Sequence, residues 1–200
     1  MTKSVISIMC GVMLSVFIIF SSTAKDTVAA THLQLTEKQQ VISNDWTISA
    51  EAEKKIKFFE GGPYLKSYKG AGGHWLIGWG HNCGHQDLSI TINEANKIFW
   101  QDIKRCSVKI KKDIKVQLTP NQFSVLVDLY FNMGGYALKN GTKVSTLITE
   151  LNKGNYKLAG EEILKYVNVT YFDKKENRKK KRSLPGLVKR RKWGFGYWNK

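Results

Sequence analysis

Apolar residues recur with a helical period over several stretches of this chain, and each stretch is bounded by residues suited to starting or stopping a helix. Ala52, Ile56 and Phe59 follow Ser49, a capping residue, so a helix is expected that ends at Glu60, where Gly61-Gly62-Pro63 stops it. Between Tyr64 and Asp87 the period disappears. Glycines alternate there with Tyr64, Tyr68, Trp75, Ile77 and Trp79, a pattern that predicts short strands joined by tight turns. Thr91-Ile92-Asn93-Glu94 is a capping box, and Ala95, Phe99, Ile103, Cys106 and Ile110 then form one stripe. Thr119-Pro120-Asn121-Gln122 starts another helix, in which Phe123, Leu126, Val127, Tyr130 and Phe131 mark the centre of the core. That helix ends at Asn132-Met133-Gly134-Gly135. Shorter helices are expected over 145–152 and 157–166, followed by a solvated basic stretch from Lys174 to Arg182 and a last short helix after Pro185-Gly186. The sum is an α+β domain, mainly helical, with a small early hairpin sheet and a cleft between the two parts.

The N-terminal pattern differs. Lys3 precedes an almost unbroken apolar run from Val5 to Phe20, and Ser22-Thr23-Ala24 offers a small-residue cleavage site. Residues 1–24 therefore read as a signal peptide, with a second cleavage site after Ala30. The run is shorter than the roughly 20 residues of a spanning helix, and an uncleaved anchor stays open as the alternative. Residues 25–46 are polar and aperiodic, a lead-in to a domain over 47–200. The expected location is the periplasm or the exterior.

Charge narrows the partners. Lys and Arg number 32 against 16 Asp and Glu, a formal net charge of +16. Such an excess favours an anionic wall polymer or membrane surface, engaged through the basic C-terminal region from Lys174 to Arg191. Aromatics follow that region at Trp193, Phe195, Tyr197 and Trp198, as in single-strand binders, but export argues against nucleic acid. A monomer without cofactor is expected. Of three cysteines, Cys10 lies in the export segment, and Cys83 and Cys106 form an even pair for an oxidising compartment. A disulfide between them is the economical reading, two free thiols the alternative.

Candidate chemistry centres on Glu60. A carboxyl at a helix C-terminus faces the negative end of the macrodipole, and its aromatic neighbours desolvate it; both favour the protonated form that a general acid requires. Most glutamates are solvated surface groups, and these features alone leave Glu60 among them. His74, His81, Cys83, His85 and Asp87 lie close together but lack the spacing of a zinc site, so no metal is expected.

The ordered landmarks add a resemblance. Phe59-Glu60-Gly61, the hairpin Trp75 to His81, the helix from Gln122-Phe123 to Phe131-Asn132-Met133-Gly134, Leu151-Asn152-Lys153-Gly154 and Pro185 to Arg191 together resemble phage-type lysozymes and endolysins, glycoside hydrolase family 24, over roughly residues 47–198. The resemblance implies cleavage of the β-1,4 bond between N-acetylmuramic acid and N-acetylglucosamine in peptidoglycan, with Glu60 as proton donor. It also exposes a departure. The family's Asp and Thr positions fall on Gly70 and Leu76, with one extra residue between Glu60 and Tyr68, and no carboxylate lies between Glu60 and Asp87. Hydrolysis then needs another base, for which His74 and Asp87 are candidates. A lytic transglycosylase-like reaction needs Glu60 alone, and a non-catalytic glycan binder needs neither. Asn132, at a helix end bordering the cleft, is a candidate for an acetamido group or else a helix cap.

Overall fold

The computed structural model describes residues 47–134, 138–140, 143–173 and 175–200. The stretch 1–24 read as a signal peptide, the lead-in to residue 46 and Cys10 lie outside the described residues.

Helix α1 spans Ala50–Glu60, and the Ser49 side chain accepts from the Ala52 amide at 3.1 Å. Ala52 and Ile56 are its buried face. Its end is built from two glycines with different duties. Gly61 takes the left-handed conformation, φ 75°, and returns its N–H to the Lys57 carbonyl. Gly62 allows close approach: a Cβ there would stand 2.5 Å from the Gly78 carbonyl oxygen. The chain after Glu60 is thereby pressed against the sheet.

That sheet has three antiparallel strands in order, β1 (Tyr64–Lys69), β2 (Trp75–Gly78) and β3 (His81–Asn82). Tyr64 pairs with Gly78 and Tyr68 with Leu76, so β1 carries a bulge-like irregularity between them. This lies inside the interval where the resemblance places an extra residue.

Helices α2 (Ile92–Asp113) and α3 (Pro120–Met133) both begin with complete capping boxes, Thr91 with Glu94 and Thr119 with Gln122. In α3 every residue from Phe123 to Tyr130 is buried, the signature of a helix surrounded by its neighbours. Helices α4 (Thr146–Asn152) and α5 (Tyr156–Ile163) close one side, after a minimal ribbon of β4 (Lys139–Asn140) and β5 (Lys143–Val144). The fold is the expected α+β arrangement.

Two stretches differ from expectation. Asn168–Asp173 (β6) and Arg178–Ser183 (β7) pair as an antiparallel hairpin where a solvated basic stretch was expected. Lysine occupies both faces of β7, so no alternation of apolar and polar residues marks it as a strand. The last helix, α6 (Pro185–Trp198), has 14 residues and is not short. Gly194 and Gly196 read as breakers, yet at Gly194 the helix passes so near the core that a Cβ would stand 3.4 Å from a Val125 methyl.

Candidate active site

Glu60 stands at the last position of α1, with 19% of its side chain exposed. Its Oε1 accepts from Nη1 of Arg190 on α6 at 2.7 Å. Arg190 is itself buried and does not belong to Glu60 alone. Its Nη2 lies 2.7 Å from Oδ1 of Asp128 on α3, and its Nε donates to the same oxygen at 2.9 Å. The Phe59 ring lies beneath the guanidinium, 5.3 Å from its carbon. Beyond Asp128 comes Arg191, whose Nη1 is 3.5 Å from Asp128 Oδ2, whose Nε donates to the Tyr166 carbonyl at 3.0 Å, and whose Nη2 donates to Oδ1 of Asn132. Two carboxylates and two guanidiniums thus form one continuous row through the interior, joining the end of α1 to the middles of α3 and α6.

The row sets the protonation of Glu60. Burial is the largest influence and raises its carboxyl above the ordinary value; Arg190 opposes the rise, and Asp128 adds to it. Because Arg190 is shared with Asp128, its charge does not fully offset the loss of solvent. Burial likewise pushes the Arg191 guanidinium down to about 10, still charged at neutral pH. Oε1 is committed to Arg190, so the acidic proton belongs on Oε2, which makes no hydrogen bond among the described residues. Oε2 faces Gly80, where a Cβ would stand 3.5 Å away. Tyr68 is also near, its hydroxyl raised by burial and then by Tyr64 and Glu60.

Gly80 leads into a cavity of about 360 Å³ at the junction of β3 with α2 and α3, lined by His81, Asp102, Cys106 and Tyr130 among others. The cavity lies between the sheet and the helices, and Glu60 is not among the residues that line it. His81 Nδ1 lies 3.1 Å from Asp102 Oδ2. Burial, and then the Arg105 guanidinium, hold the imidazole below its ordinary value. Asp102 is also gripped by Arg105, whose Nη2 stands 3.4 Å from His81 Nδ1, so the three side chains form one cluster.

The other candidates are placed as follows. His74 is exposed at the tip of the β1–β2 hairpin, where its carbonyl accepts from the Gly70 amide at 2.9 Å. Asp87 is exposed in the loop after β3, at φ 59°. Neither makes a hydrogen bond to Glu60. Asn132 has its carbonyl oxygen occupied by Arg191, which leaves only its amide N–H groups to meet a ligand. Gly70 and Leu76 touch: a Cβ on Gly70 would stand 2.7 Å from Leu76 Cδ1. Gly70→Asp is therefore expected to cost about 1–3 kcal/mol by overpacking, with much of that recovered when Leu76→Thr is added. A double-mutant cycle by thermal melting checks this, and simple additivity of the two changes would refute the contact.

The cysteine pairing is corrected: Cys83 and Cys106 are both free thiols. Cys83 Sγ lies 3.3 Å from the carbonyl oxygens of both Trp75 and His85, either of which accepts its single S–H. Cys106 faces the cavity from α2, its thiol pushed up to about 11 by burial. Among the described residues no group of three His, Cys, Asp or Glu side chains is arranged to hold a metal ion.

Residues 57–193 match the family model for phage lysozyme. The chain is 36% identical over 146 residues to an endolysin of Acyrthosiphon pisum secondary endosymbiont phage 1, covering 72% of this chain and 92% of that one. The chain belongs to the phage lysozyme family. An endolysin of Bacillus phage B103 is 34% identical over 148 residues, 72% of this chain, and the match spans about half (51%) of that relative. Among solved structures, an endolysin from Escherichia coli O157:H7 phage FAHEc1 superposes with a TM-score of 0.63 at 29% identity, over 76% of this chain and 92% of that one.

Within this lysozyme-family chain the sequence reading overlooked Asp128, and it placed Arg190 and Arg191 in a basic region facing an anionic partner, whereas both are buried. One signal was present: Asp128 is the single charge in Phe123 to Phe131, an otherwise apolar and hydroxyl-bearing stretch, and a lone carboxylate on a core helix implies a buried cation.

Proposed function

We propose that this phage lysozyme is an exported muramidase, cutting the β-1,4 bond between N-acetylmuramic acid and N-acetylglucosamine with Glu60 as general acid. The observation that carries this reading is the raised carboxyl of Glu60, pinned at Oε1 by Arg190 and open at Oε2 beside the cleft. Export rests on Lys3 and the apolar run Val5 to Phe20.

In the reaction the Oε2 proton passes to the glycosidic oxygen as the C1–O bond breaks, the bonding electrons leave with that oxygen, and positive charge develops at C1. Arg190 steadies the carboxylate that remains. In hydrolysis, water adds to C1 and surrenders a proton to a base, the role for which His74 is the candidate on the hairpin. The contact of Gly70 with Leu76 favours a second route. Apolar surface occupies the place of the family's second carboxylate and hydroxyl, and among the described residues the remaining carboxylate that influences Glu60, Asp128, is bound to two arginines. In that route the C6 hydroxyl of the same sugar attacks C1 and returns its proton to Glu60, which ends the cycle as it began.

Digestion of purified peptidoglycan followed by mass spectrometry of the muropeptides separates the routes. Reducing ends establish hydrolysis, and 1,6-anhydro ends establish intramolecular transfer. Binding to insoluble wall without either product would overturn the enzymatic reading in favour of a glycan-binding protein.

A further inference from the structure

The β6–β7 hairpin has two unlike faces. Its register pairs Val169 with Arg182, Tyr171 with Lys180 and Asp173 with Arg178, and places these six residues on one side. Two of its three cations are paired with carboxylates, and the third lies over an aromatic ring. Lys180 Nζ lies 2.8 Å from Asp173, Arg178 binds Glu176 at 2.5 Å, and Arg182 lies over the Tyr171 ring at 5.3 Å. The opposite side carries Thr170 with Lys181 and Phe172 with Lys179. All four are exposed, Phe172 by 54%, and neither lysine has an ion-pair partner among the described residues. The loop at this end of the hairpin adds Lys175.

We infer that this face, Phe172 with Lys179 and Lys181, docks the protein on the surface of an anionic lipid bilayer. The pairing of chemistries selects the partner. A phosphate-bearing polymer would answer the lysines but offer no medium in which to bury a phenyl ring, and an uncharged glycan would leave the lysines unanswered. An anionic bilayer answers both: headgroup phosphates meet the ammonium groups, and the ring enters the acyl boundary. The net charge of +16 supplies long-range attraction to the same surface. Among the described residues no helix is long and apolar enough to cross a membrane.

The test is cosedimentation of the purified protein with vesicles of phosphatidylcholine alone and of phosphatidylcholine mixed equally with phosphatidylglycerol. Binding is expected only to the mixed vesicles. Lys179→Ala with Lys181→Ala should weaken it roughly 20- to 30-fold, about fivefold for each lysine. Phe172→Ala should weaken it about tenfold while leaving net charge intact. Arg178→Gln with Arg182→Gln removes equal charge from the opposite face and should leave binding within about threefold of the parent. Equal losses from the two double variants would reduce the effect to net charge and overturn the assignment. So would vesicle binding that is indifferent to Phe172, or hairpin variants that lose purified peptidoglycan but keep the vesicles. None of these readouts depends on turnover of the glycan.

Discussion

Glu60→Gln is expected to lower peptidoglycan turnover by roughly 10²–10⁴-fold, the usual contribution of a positioned general acid, and to leave the fold intact. The amide keeps the carboxyl's shape, and its oxygen can still accept from Arg190 Nη1. It has no acidic proton to deliver. Stability gives a second readout with a definite sign. Burial raises the Glu60 carboxyl above its ordinary value of 4.5, so the folded chain binds this proton more tightly than the unfolded chain does. The corresponding stabilisation is complete below the ordinary value and is lost as pH rises through the folded one. The parent should therefore show this decline in melting temperature, and the Glu60→Gln protein should lack it. Turbidity clearing of a wall suspension and melting curves across that window check the two halves. Lysis at more than about a tenth of the parental rate would remove Glu60 from the role of acid.

Asp128→Ala should be the most damaging substitution for stability, at about 3–5 kcal/mol, which for a domain of this size is a fall in Tm of roughly 6–20 °C. Asp128 is 2% exposed and stands between Arg190 and Arg191, themselves 4% and 1% exposed. Its removal leaves two buried guanidiniums with Glu60 as the one remaining carboxylate in the row. Neither arginine can escape by losing its proton at neutral pH, because a guanidinium stays charged in proteins. The damage must also reach the site, because Arg190 loses the partner that orients it toward Glu60. Thermal melting at neutral pH measures the first effect. A shift smaller than about 2 °C would show that water replaces the carboxylate at little cost.

How legible all this was in the sequence follows from how local each determinant is. Ser49, Thr91 with Glu94, and Thr119 with Gln122 act within one turn of their own helices, and the starts of α1, α2 and α3 fall where those residues put them. The placement of Glu60 at a helix end was equally local, since Gly61 and Gly62 follow it directly. The ion-pair row was not, for Arg190 reaches Asp128 across 62 residues and Glu60 across 130. Nothing in Leu187-Val188-Lys189-Arg190-Arg191 says which cations turn inward; packing of α6 decides it, burying Arg190 and Arg191 and leaving Lys189 exposed. The direction of a thiol is likewise settled by the loop around it, which is why an even pair of cysteines did not imply a bond. Gly70 and Leu76 show the intermediate case. Counting along the chain singled out both positions, but only the folded hairpin shows that they touch.

The reach of Arg190 has a consequence for biosynthesis. Translation delivers Glu60 well before α6, and a nascent chain that has not yet received its final helix carries at residue 60 a glutamate without its arginine partner. Arg190, which pins Oε1, arrives only with α6. Catalytic competence is thus among the last properties the growing polypeptide acquires.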